Sequence, residues 1–129
     1  MKATIASLIF LLLSLAVSSQ TYKYIGIEEG LSNQKIYRIQ KDARGYMWFL
    51  THVGIDRYNG KEIKHYKLKE GDRELDPLLN INWTYLDKTG TLLVTGKQGR
   101  IFRYDSGHDR FVQIYSMYNY WNRSEEHTS

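Results

Sequence analysis

Beyond residue 20 the apolar positions of this chain come in short runs broken by Gly, Asn and Asp, a spacing that suits strands and hairpins rather than helices. The runs predict strands near Lys35 to Lys41, Tyr46 to Leu50, Gly54 to Tyr58 and Glu62 to Tyr66. A second set falls near Asn80 to Leu86, Thr91 to Thr95, Arg100 to Tyr104 and Phe111 to Tyr115. Tyr46-Met47-Trp48-Phe49-Leu50 and Leu92-Leu93-Val94 are nearly all apolar, as expected of inner strands covered on both faces. The longest apolar stretch, Ile5 to Val17, follows a short basic start at Met1-Lys2 and precedes Ser18 and Ser19. That order is a secretory signal peptide over residues 1–19, with cleavage expected after Ser19 and Ser18 as the runner-up. An uncleaved anchor is the competing reading, but the run falls short of the roughly 20 residues that cross a bilayer.

The strand pattern repeats. Asp42-x-x-Gly45-(x)8-Gly54-x-x-Arg57-Tyr58 returns as Asp87-x-x-Gly90-(x)8-Gly99-x-x-x-Arg103-Tyr104, 45 residues later up to the second Gly and 46 after it. Four strands per period of that length are the layout of a β-propeller blade, a unit unable to bury its apolar face alone. The expected architecture is therefore all-β, four-stranded antiparallel blades, in an incomplete ring of about two. The first repeat is expected over 35–71, the second over 72–117, and the start of a next segment over 118–122. Asp42 and Asp87 each open a turn closed by Gly45 or Gly90. Asp accepts bonds from amides further along, and Gly tolerates positive φ. Asn59-Gly60 carries a two-residue hairpin signal between the third and fourth strands. The lead-in, 20–34, echoes the end of the first repeat, so Tyr22 to Ile25 is expected to act as a fourth strand closing a ring.

The chain has 129 residues, a formal charge of +4 and no cysteine. The missing cysteines exclude disulfides, thiolate metal sites and a Cys nucleophile. Its basic residues are interspersed with acids, and the run from Lys61 to Lys69 reads as a solvated strand face rather than a nucleic-acid track. Arg123 to Ser129 matches the translation of a common sequencing adapter, so genuine sequence is expected to end near Asn122 and the chain to be part of a longer protein.

Glu29-Gly30-Leu31-Ser32-Asn33, then Ile36-Tyr37, Ile39-Gln40, Asp42, Gly45-Tyr46, Trp48-Phe49, Thr51, Gly54-Ile55 and Arg57-Tyr58-Asn59-Gly60 together resemble the two-component regulator propeller repeat. The resemblance covers about Tyr22 to Tyr115. It is weaker in the second repeat, where Leu93 replaces the tryptophan, Gly96 stands for Thr51 and one residue is inserted at Arg100. It implies the periplasmic sensor region of a bacterial two-component receptor, commonly a hybrid histidine kinase that responds to oligosaccharides. It also implies a homodimer at full length, with downstream membrane and kinase modules as partners.

The candidate chemistry is sparse. The four histidines have no metal spacing, and neither cofactor nor metal is expected. Asp42/Asp56 and Asp105/Asp109 could serve acid–base catalysis, but turn and edge-strand solvation accounts for them. The recurring positions Asp42, Gly45, Trp48, Gly54, Arg57, Tyr58, Gly60, Asp87, Gly90, Gly99, Arg103 and Tyr104 are read as structural, with Trp48, Tyr58 and Tyr104 in the blade core. Trp83, Tyr118, Tyr120 and Trp121 lie outside the repeat and are the candidates for stacking on a sugar. The alternatives are a propeller hydrolase or lyase, and a sensor of the same family with a non-kinase output.

Overall fold

The structure is a computed structural model describing residues 1–14, 20–76, 81, 83–117 and 123–124. A helix, α1 (Lys2–Ser14), precedes two four-stranded antiparallel sheets. The first contains β1 (Ile36–Lys41), β2 (Met47–Thr51), β3 (Gly54–Tyr58) and β4 (Ile63–Tyr66), paired in chain order. A small hairpin of β5 (Lys69–Glu70) and β6 (Arg73–Glu74) leads to the second sheet. That sheet holds β7 (Trp83–Leu86), β8 (Leu92–Thr95), β9 (Ile101–Asp105) and β10 (Arg110–Tyr115), again in chain order. The two up-and-down sheets are propeller blades, as the repeat predicts. Among the described residues no helix is long and apolar enough to cross a membrane.

The blades pack face to face. Trp48 is only 1% exposed, with its ring centroid 4.7 Å from that of Tyr104, 5.4 Å from Tyr66 and 5.6 Å from Phe111. Leu50 and Ile55 from the first blade and Leu92, Val94 and Phe102 from the second complete this core, with Leu68 and Leu75 from the flanks of the hairpin. Tyr104 is buried against the first blade, whereas its repeat counterpart Tyr58 is only half-buried. Tyr58 sits on the face turned away from the second blade, where Lys23 Nζ donates to its hydroxyl at 2.6 Å. The expectation that Tyr58 is core is thus corrected. The same repeat position is buried only when a sheet lies against that face.

The Asp–Gly turns form as their chemistry dictates. Asp42 Oδ1 accepts from the amides of Arg44 (2.9 Å) and Tyr46 (3.0 Å), and Asp87 Oδ1 from Thr89 (2.8 Å) and Thr91 (2.9 Å). The second carboxylate oxygen distinguishes the blades. Asp42 Oδ2 accepts from the Trp48 indole at 2.8 Å, while Asp87 Oδ2 accepts from Arg103 Nε at 2.9 Å. Where Leu93 replaces the tryptophan, the arginine paired across from it takes over the bond.

The two Gly positions after these turns are not equivalent. Gly54 begins β3 opposite Thr51, and a Cβ there would meet the Tyr66 carbonyl oxygen at 3.1 Å. Gly99 lies in the loop before β9 at φ +63, following Gln98 at φ +60, and Gly96 N–H closes that loop on the Arg100 carbonyl at 2.8 Å. The extra residue of the second repeat therefore enlarges the turn itself instead of following the glycine. Asn59 also departs from expectation, since it does not adopt the positive φ of a two-residue Asn-Gly turn. Its side chain instead accepts from the amides of Lys61 and Glu62, both at 2.9 Å, and shifts the turn centre by one residue.

The lead-in pairs with neither of these two blades. Tyr22 to Ile25 forms no strand among the described residues, because a strand exists only by pairing and this segment meets no sheet edge. Beyond it, a turn from Gly26 to Leu31 delivers Ser32 to the first blade. Ser32 donates its amide and its hydroxyl to Asp56 Oδ2, each at 2.8 Å, and His65 Nδ1 lies 2.8 Å from Oδ1. Asp56 is fully buried, so edge-strand solvation does not describe it. We expect Asp56→Ala to cost about 3 kcal/mol, because it empties a fully buried side-chain site and unpairs the partly buried amide and hydroxyl of Ser32. Urea denaturation checks the cost, and faster amide exchange at Ser32 identifies the loosened segment.

Candidate functional site

The blades converge at one side, where β1 contacts β7. There Arg38 of β1 sets its guanidinium carbon 2.9 Å from the ring centroid of Trp83 on β7. Tyr85, two residues along the same strand, has its ring centroid 6.5 Å from Trp83. Alternation along a strand puts both rings on one side of β7. Trp83 keeps 43% of its surface exposed and Tyr85 52%, so the pair offers an open aromatic shelf with a cation on one face of the indole. Such a shelf can stack on the C–H face of a sugar while guanidinium and hydroxyl groups orient it. Of the four aromatic candidates only Trp83 can be placed; Tyr118, Tyr120 and Trp121 lie outside the described residues. Sequence reasoning missed Tyr85, although its spacing of two from Trp83 signalled it, and missed Arg38, for which no local signal exists.

The carboxylates are committed elsewhere. Asp42 holds its turn and Trp48, and Asp56 holds Ser32 and His65. Asp105 accepts from His108 Nδ1 at 2.7 Å, and that bond leads the causes holding its carboxyl below the usual range. Asp109 bridges the blades: its Oδ1 is 3.0 Å from Arg57 Nη1 and accepts from the hydroxyls of Tyr66 and Tyr104, while Oδ2 meets Lys64. Arg57 in turn donates to Tyr104 and lies over the rings of Tyr46, Trp48, Tyr66 and Tyr104. Asp109 itself is held at φ +50, an uncommon conformation for a residue with a side chain. Both acidic pairs are thus structural. Turn solvation does not explain Asp109 any more than edge solvation explained Asp56.

The remaining histidine in the described region, His52, stacks on Tyr37 with ring centroids 5.9 Å apart. His127 lies outside the described residues.

Paired four-stranded sheets, joined through recurring Asp–Gly turns and a shared aromatic core, define a β-propeller repeat protein. The two component regulator propeller family model matches residues 30–52, and that segment is a repeat of this family. The matched stretch runs from the Ser32 anchor through β1 and the Asp42 turn to the end of β2, so it contains Trp48 and its carboxylate partner. Over that stretch the blade is similar to the propeller repeats of two-component regulators. No curated protein matches the chain.

Proposed function

We propose that this chain supplies blades to the extracytoplasmic sensor of a bacterial two-component receptor, most simply a hybrid histidine kinase, that recognises oligosaccharides. Residues 1–19 direct export, and the blades form a rigid platform that does no chemistry. Ligand binding shifts a dimer between two signalling states by its differential affinity for them. The two component regulator propeller repeat at 30–52 carries this reading. The exposed Trp83 ring beside Arg38 and Tyr85 supports the saccharide part.

Calorimetric titration of the full chain with a broad panel of neutral oligosaccharides tests it. Binding is expected for at least one, and Trp83→Ala should weaken it by up to about tenfold, the scale of one aromatic contact. No binding across the panel would overturn the saccharide assignment.

A further inference from the structure

Opposite the convergence of β1 and β7, the blades open. A cleft of about 450 Å³ lies between the edge strands β4 and β10, bordered by the β5–β6 hairpin. That volume is in the range of small-molecule sites. Its formal charges are four cations, Lys64, Lys67, Lys69 and Arg110, against one carboxylate, Asp109. Two of the four are already paired: Lys64 with Asp109, and Lys67 with Glu74 at 2.8 Å. Lys69 and Arg110 are exposed, and among the described residues no ion pair reaches either of them.

Lysines on an edge strand also discourage sheet-to-sheet association. That role needs no cavity, yet here the cations line one open cleft from two blades and a hairpin. We propose that this cleft binds a compact polyanion, an oligosaccharide bearing sulfate or carboxylate groups. Lys69 and Arg110 make the new ion pairs, and Lys64 and Lys67 hold the surrounding positive field. A nucleic acid fits less well, because the aromatic residues of the cleft, Tyr66 and Phe111, are buried and offer no face for a base to stack on. The sugar scaffold rests on the saccharide-sensor reading, whereas the preference for charge rests on the cleft alone.

The test titrates the full chain with a sulfated disaccharide, its unsulfated counterpart, inorganic tripolyphosphate and an oligothymidylate. The sulfated disaccharide should bind and weaken as salt rises, and its unsulfated counterpart should bind at least about tenfold less tightly. Lys69→Gln combined with Arg110→Gln should reduce the affinity about tenfold or more. Both changes are at exposed positions, and an unchanged thermal melt confirms that the fold survives. Lys61→Gln, outside the cleft, and Trp83→Ala should leave this binding intact, which separates the cleft from the shelf at Trp83. Equal binding of the uncharged sugar, tighter binding of the oligothymidylate, binding of tripolyphosphate alone, or full affinity in the double variant would each overturn the proposal.

Discussion

Replacing Trp48 with Ala should lower the stability of the chain by about 3–5 kcal/mol, the range for truncating a large buried aromatic side chain. The residue does two jobs at one point. Its ring fills the seam between the blades against Tyr66, Tyr104 and Phe111, and its N–H satisfies the buried Asp42 carboxylate. Trp48→Phe separates the two contributions, because it retains a ring while leaving Asp42 Oδ2 without that donor. It should cost about 1–3 kcal/mol, the scale of one lost bond to a buried charged group. Urea denaturation followed by circular dichroism reads both values. Equal losses in the two variants would show that a ring at this position contributes nothing beyond the indole N–H bond, contrary to the packing described.

Asp109→Asn should cost about 2 kcal/mol near neutral pH, moderated because the carboxylate is a third exposed. The pH dependence identifies its origin. Burial is the largest single influence on Asp109 and opposes its ionisation. Hydrogen bonds from Lys64, Tyr104 and Tyr66, together with the Arg57 charge, outweigh it and hold the carboxyl well below the usual range.

A carboxyl whose pKa is depressed by folding stabilises the folded state above its unfolded value, about 3.9, and loses that contribution as pH falls toward the folded value. The tyrosines run the other way. Burial first, then the bond to Asp109, raises Tyr66 beyond the ordinary tyrosine range and pushes Tyr104 up to about 12. Their contribution is complete below about pH 10 and is lost as pH rises through the folded values. Wild-type stability should therefore decline below about pH 4 and again above about pH 10. Asp109→Asn should flatten the acid decline; an unchanged acid midpoint would place the sensitivity in other carboxylates.

The strands were largely legible because their signals are local. Apolar runs, Asp–Gly turns and the 45-residue period located the ends of seven strands within a residue or so, while the expected start of β7 near Asn80 lies outside the described residues. What escaped depends on residues distant in sequence. Asp109 meets Arg57, Lys64 and Tyr66 across 43 to 52 positions, and Arg38 reaches Trp83 from the other blade. Asp56 looked like a solvated strand residue because alternation says which residues share a face but not what covers that face. Only the folded lead-in, through Ser32, encloses it. Matching Gly54 with Gly99 failed for the opposite reason. Equal sequence spacing aligned the letters, although hydrogen-bond register places the extra residue before the second glycine.

The two Asp–Gly turns touch each other. Ala43 N–H donates to the Gly90 carbonyl at 3.1 Å, and a Cβ on Gly90 would fall 2.3 Å from that of Ala43. A side chain at position 90 would therefore both strain its own turn, held at φ +72, and wedge the blades apart. The second residue of one turn and the last of the next share a single space. A side chain at one leaves no room for a side chain at the other, so the packing of each turn depends on the neighbouring blade.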